Sequence, residues 1–225
     1  MSVAALPQET ESLAERLTPP PMTFEEFLDW ADEDTHAEWV NGKVIFLSAS
    51  SWHQLTISFL LSLIQFWIDS KNIGGRLWTA PFLMRCRLGN PGREPDLVYL
   101  RDKNLARIQT NHMEGPGDLV VEIVSQESVR RDHVEKFAEY EAGGVGEYWI
   151  IDPASQTAEF YVRDAGAKYF RRATLENLTE ENGGTYTCDI LGGLRIEVDW
   201  LWQRPLPSLV PIVRKWDGEA APPAA

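Results

Sequence analysis

Two short apolar runs decide the fold: Arg93-Glu-Pro-Asp-Leu-Val-Tyr-Leu100 and, eighteen residues on, Asp118-Leu-Val-Val-Glu-Ile-Val124. From Asp96 and Asp118 respectively, each is brief, nearly continuous in apolar side chains and rich in β-branched residues, the pattern of a strand buried on both faces. Arg130 to Ala142 follows as a helix, stopped by Gly143-Gly144. Gly146-Glu-Tyr-Trp-Ile-Ile-Asp152 is a further buried strand, closed by Asp152-Pro153. Strand, strand, helix and strand in this order predict an α/β domain with a mixed central sheet flanked by helices.

Outward from this centre the chain remains regular. On the N-terminal side, Thr23 and Glu26 form a capping box that opens a helix from Phe24 to about Asp32. Asn41-Gly42 between the apolar arms of Ala37–Leu47 signals a β-hairpin. Ser50 to Lys71 carries Leu55, Phe59, Leu63, Phe66 and Trp67 at helical spacing, which predicts a long core-facing helix. Leu77 to Leu88 reads as a strand, with a turn at Gly89-Asn90-Pro91-Gly92. On the C-terminal side, Thr157–Val162 and Lys168–Ala173 form an outer hairpin, and Leu194 to Trp202 a last strand or turn. The expected organisation is a flexible arm over residues 1–21, one domain over 22–203, and a Pro/Ala-rich tail over 204–225 that peels away.

Composition narrows the class. The chain has 225 residues, 44% of them hydrophobic and 11% aromatic, enough to bury a sizeable core. No run of eighteen apolar residues suggests a membrane span, and Met1–Thr18 lacks the basic start and apolar stretch of a signal peptide. Cys86 and Cys188 lie far apart with no CxxC partner, which points to free thiols in a reducing compartment and hence to the cytoplasm. The net charge of -13 runs against phosphate binding, which usually brings a basic face. Many acids, however, fall in the N-terminal stretch and the first helix (Glu9, Glu11, Glu15, Glu25, Glu26), and acids that hold a cation invert the local field.

The chemistry concentrates in the central strands. Asp96 begins one of them after Pro95, and Glu122 sits among Val120, Val121, Ile123 and Val124. An ionised carboxylate in such a strand is costly unless it is paired or holds a metal. With the two strands side by side, Asp96 and Glu122 would repel, and a hard cation relieves that repulsion. Two carboxylates, a backbone carbonyl and several waters are a common setting for Mg²⁺. On the next helix Asp132, Lys136 and Tyr140 recur at every fourth position and share a face. From there Lys136 can reach an attacking water or a scissile phosphate.

Plainer readings stand beside each of these. Asp96 can cap a turn, Glu122 can pair with a core arginine, and Lys136 can form a surface pair with Asp132. Glu38 follows a run of acids and can be solvated, and His53 can be a capping or solvated histidine. Tyr140 and Trp149 read as core aromatics. Glu94 is an additional acid without a role. The four histidines have no zinc spacing, and GxSxG, Walker A and complete GxGxxG patterns are absent.

Glu94-Pro95-Asp96, Val121-Glu-Ile-Val-Ser125, Asp132-x-x-x-Lys136-x-x-x-Tyr140 and Gly144-Val-Gly-Glu-Tyr-Trp-Ile-Ile-Asp-Pro153 together resemble the PD-(D/E)XK nuclease superfamily. More closely, they resemble its Uma-two family of restriction-type endonucleases. His36-Ala-Glu-Trp-Val-Asn-Gly-Lys-Val44 and Ser50-Ser-Trp-His-Gln-Leu55 extend the likeness, which covers roughly residues 22–163. The resemblance implies a restriction-endonuclease-like core and a Mg²⁺- or Mn²⁺-dependent endonuclease acting on DNA. Asp96, Glu122 and the Ile123 carbonyl would hold the metal, Glu38 would complete or modulate the site, and Lys136 would orient and activate the attacking water. Val124 stands where the superfamily's lysine is written, so Lys136 is read as that lysine displaced onto the following helix. Homodimers are also implied, and RNA is the other substrate the same chemistry allows. The rival of a different class is a nuclease fold serving as a binding or assembly module with weak or no catalysis, a role the acidic surface favours.

Overall fold

The computed structural model describes residues 19–32, 35–47, 50–125, 128–179, 182–216 and 218. Helix α1 (Phe24–Trp30) starts at Thr23, where both halves of the capping box form. Strands β1 (Ala37–Val40) and β2 (Lys43–Phe46) pair as the expected hairpin. Asn41 and Gly42 both have positive φ, +50° and +85°, as a tight two-residue turn between twisted strands requires.

Helix α2 (Ser51–Lys71) is capped by the Ser50 side chain, which accepts from the His53 N–H at 3.2 Å. Its buried stripe centres on Leu60 and Ile64, not on the predicted line. Phe59, Leu63 and Trp67 are buried as expected, but Leu55 and Phe66 fall beyond the stripe's margin and are 52% and 41% exposed. The predicted strand Leu77–Leu88 is two strands, β3 (Arg76–Thr79) and β4 (Leu83–Arg85). Pro81 between them lacks the N–H that a continuous ladder needs.

Strand β5 (Leu97–Leu100) pairs antiparallel with β3 and with β7 (Leu119–Ile123), while the short β6 (His112–Glu114) pairs with β4. The helical segment that follows is wound as a π-helix over Arg131–Lys136 before α3 (Phe137–Gly143), a departure from the uniform helix expected. Gly144, in the left-handed conformation, ends α3. Strand β8 (Glu147–Asp152) runs parallel to β7, β9 (Thr157–Val162) adds antiparallel to β8, and β10 (Arg171–Arg172) antiparallel to β9. The result is a six-stranded mixed sheet in the order β10-β9-β8-β7-β5-β3.

Alternation along the central strands divides the core. Leu97, Tyr99, Leu119, Val121, Ile123, Trp149 and Ile151 face α2 and the hairpin of β11 (Thr185–Cys188) and β12 (Leu194–Glu197). Val98, Leu100, Val120, Val124, Tyr148 and Ile150 face the other way, with Tyr140 of α3. Asp96 and Glu122 share the parity of this second set. The β5–β7 register of Leu97 with Val121, continued by one residue, sets Asp96 opposite Glu122.

The stretch after Arg204 does not simply peel away as expected. Leu209–Trp216 forms helix α4, Ile212 is buried, and the Trp216 ring meets Trp67 of α2 edge-on at 4.8 Å. A local wealth of proline hides this helix from composition alone, because its apolar face is buried only by packing on the distant core. The arm before residue 19 and most of the segment beyond Trp216 lie outside the described residues. No described helix is long and apolar enough to cross a membrane. Cys86 and Cys188 are free and buried, as read.

One buried acid of the sheet lies apart from the site. Glu147 accepts from Trp149 Nε1 at 2.6 Å and from the Tyr186 hydroxyl, beneath stacked Phe160 and Tyr186 rings. Burial raises its pKa above 4.5, more than those hydrogen bonds lower it. A raised carboxyl pKa means the folded state holds the proton more tightly, so this contribution to stability is present below pH 4.5 and lost as pH rises through the folded value. Glu147→Gln keeps an oxygen for both donors and removes the buried charge. The variant should melt about 2–4 °C above the parent at pH 8 and with it at pH 4, read by thermal denaturation across pH.

Candidate active site

The site forms at the end of β7, where Asp96 and Glu122 come onto one face of the sheet and the π-helix crosses above them. Asp96 Oδ2 accepts from the Ile123 N–H at 2.6 Å and lies 3.1 Å from His53 Nε2. Because Ser50 caps α2 through the His53 N–H, the helix start fixes His53 over the strand. Sequence reading favoured a solvated or capping histidine there; the chain places its ring on Asp96.

Lys136 is buried, and its ammonium lies 2.8 Å from Glu122 Oε1, 3.0 Å from Glu38 Oε1 and 3.5 Å from Asp132 Oδ1. The Tyr140 hydroxyl donates to Glu122 Oε1 at 2.9 Å. Glu38, on β1, is fully buried rather than solvated, and it also accepts from Arg93 at 2.9 Å. Arg93 in turn grips Glu139 of α3 with two bonds of 2.8 and 2.7 Å. Hairpin, strand and helix are therefore stitched together through Glu38 and Arg93. Trp149 is a core aromatic of the opposite face.

Charge explains the protonation pattern. Burial alone would lower the Lys136 pKa, but Glu122, Glu38 and Asp132 outweigh it and raise it, so the ammonium stays charged. Burial would raise Glu38, but Lys136 and Arg93 hold it below the usual carboxylate range. Glu122 is pushed well above its ordinary value by burial, which Lys136 opposes and Asp132, Asp96 and Glu38 reinforce. The opposite demands on Glu122 and Lys136 are compatible. One ammonium faces several carboxylates, so it remains charged while an acid among them resists ionisation. Asp132 is raised by burial too, and its Oδ1 has no hydrogen bond, only the longer ionic contact with Lys136.

A cleft of about 30 Å³ is lined by Asp96, Glu122, Ile123, Asp132, Lys136 and Arg131, among others. Glu94, left without a role by the sequence, borders it as well. Its carboxyl lies 2.5 Å from His36 Nδ1 and accepts from the Ala37 N–H at 3.2 Å, and burial pushes its pKa up to about 7. Among the described residues no three His, Cys, Asp or Glu groups gather as a closed cage for an ion. A hard ion that keeps most of its waters and takes only one or two carboxylates needs no such cage. The donors at hand are hard oxygens, and the buried Asp132 oxygen marks negative charge only loosely offset. The residue set fits an ion of the Mg²⁺ type.

Sequence reasoning missed Arg93 and Arg131. Arg93 stood in the Arg-Glu-Pro-Asp entry to a buried strand and Arg131 in the helix from Arg130 to Ala142, and neither was singled out. Arg93 has no local signal, since its partners Glu38 and Glu139 lie more than forty residues away along the chain.

A mixed sheet with two acids on one face and a lysine on the following helix is the architecture of a restriction-endonuclease-like nuclease core. The chain belongs to the Uma2 family, described as "putative restriction endonuclease", whose model matches residues 24–198. A crystal structure of a putative nuclease belonging to DUF820 from Anabaena variabilis superposes with a TM-score of 0.60 at 18% identity, covering 81% of this chain and 98% of that one. That likeness is one of fold. No curated protein matches the chain.

Proposed function

We propose that the protein is a Mg²⁺- or Mn²⁺-dependent endonuclease that hydrolyses phosphodiester bonds of DNA. The observation that carries this reading is the meeting of Asp96 and Glu122 on one face of adjacent strands, at a cleft closed by the charged Lys136. Membership in a nuclease family supports the reaction class.

Asp96, Glu122 and the Ile123 carbonyl would hold the ion, and its chemistry when bound is to polarise a phosphoryl oxygen and make water more acidic. The chain's own residues do the rest. The Ile123 N–H and His53 fix the Asp96 carboxylate, and Tyr140 fixes that of Glu122. Lys136, held as an ammonium, cannot take a proton from water. Its positive charge steadies the nucleophile at the cleft and offsets negative charge growing on the phosphate. Glu38 modulates the site by holding Lys136 in place.

Supercoiled plasmid incubated with the protein should be nicked in Mg²⁺ or Mn²⁺ and spared after chelation with EDTA, with Asp96→Ala as the inactive control. Protein that binds no Mg²⁺ by calorimetry and leaves plasmid and RNA intact would instead be an assembly module.

A further inference from the structure

We infer that Arg131 is the phosphate-binding residue of the cleft, receiving a phosphoryl group beside Lys136. The identity of the substrate rests on the nuclease reading above, but the anion site does not.

The cations near the cleft differ in how far their donors are committed. Lys136 has three protons and three carboxylates around it, on Glu122, Glu38 and Asp132. Arg93 spends one arm on Glu38 and two donors on Glu139, and its side chain is only 2% exposed. The neighbouring imidazoles are also engaged, His53 by Asp96 and His36 by Glu94. Arg131 is different. Its one ionic contact among the described residues, to Glu38 Oε2, is long at 3.9 Å, and that oxygen already accepts from Arg93 at 2.9 Å. Its Nε is buried with no hydrogen-bond partner, although the side chain is 21% exposed and borders the cleft. A guanidinium with a free donor at a solvent-reached cleft is matched in shape and charge to a phosphate, which it can grip through two parallel bonds.

The winding of the chain supplies an independent argument. In an α-helix, residues five apart point about 140° away from each other. Residues 131–136 are a π-helix, whose bonds join residues five apart and bring them nearly one above the other. Arg131 and Lys136 therefore border the same cleft, where a regular helix would turn one of them aside. Such π turns are less stable than α-helix and recur at functional sites.

The probe is inorganic phosphate in Mg²⁺ buffer, read as thermal stabilisation at constant ionic strength against chloride. Wild-type protein should be stabilised saturably. Arg131→Ala should raise the half-saturating phosphate concentration at least about tenfold, the loss of one charge-assisted hydrogen bond. Arg131→Lys, which keeps the charge and lacks the fork, should fall between, and it serves also if the alanine variant folds poorly. Arg172→Ala, on an exposed side chain of β10, should match wild type. No phosphate response in wild type, or an unchanged one in both Arg131 variants, overturns the assignment. A response that needs Arg131 in a protein that cuts neither DNA nor RNA keeps the anion site and defeats the nuclease reading. Cleavage of DNA with a response indifferent to Arg131 does the reverse.

Discussion

Lys136→Ala is expected to cost the fold about 3–5 kcal/mol and to abolish cleavage together, the penalty typical of removing one member of a buried charge group. Lys136 is the cation shared by Glu122, Glu38 and Asp132, all of them buried. Its loss leaves three acids facing one another, of which only Glu38 keeps a close cationic partner, Arg93. Against a total stability of about 5–15 kcal/mol such a loss is large. Urea denaturation at neutral pH measures it as a lowered midpoint. Adding Glu122→Gln to Lys136→Ala should recover part of the loss, because it removes one of the acids left crowded together. A change of under about 1 kcal/mol would mean that Lys136 behaves as an exposed i,i+4 partner of Asp132, worth only a few tenths.

That contrast marks what the sequence could and could not tell. The 96–100 and 118–124 runs were legible because a strand buried on both faces has no polar option, so an acid within it stands out. Parity then does the rest: residues of equal parity share a face, and the antiparallel register brings Asp96 to Glu122 without any knowledge of distant parts. The Asn41-Gly42 hairpin and the Thr23 capping box were legible for local reasons too, since each is written in residues adjacent in the chain. Glu38 was different. Nothing near it distinguishes a solvated acid from one fully buried beneath Arg93 and Lys136, both far along the chain. Helical spacing put Asp132, Lys136 and Tyr140 on one face, and all three are buried there. It could not foresee the π winding between them, because that winding answers to tertiary contacts and not to propensity. The burial of α4 follows the same rule: its apolar residues pack on a core that includes Trp67, far back in the chain.

Glu122→Gln should separate stability from activity in the opposite sense to Lys136→Ala. Glu122 accepts at Oε1 from both Lys136 and the Tyr140 hydroxyl, and glutamine offers an oxygen to the same donors. The substitution removes a carboxylate whose ionised form is disfavoured by burial and by Asp132, Asp96 and Glu38. Without metal, the variant should therefore melt at or above the temperature of the parent. Cleavage, in contrast, should fall by at least about a hundredfold, since even residues that only orient metal ligands cost 10–100-fold when removed. The Mg²⁺ heat seen by calorimetry should vanish with it. A site kept at a cost to the fold is what function requires, and structural use of Glu122 predicts the reverse pairing of a destabilised protein with unaltered metal binding. Thermal denaturation, calorimetry and plasmid nicking on the same preparation distinguish the two, because only a functional Glu122 gives a protein that is at least as stable and no longer cuts.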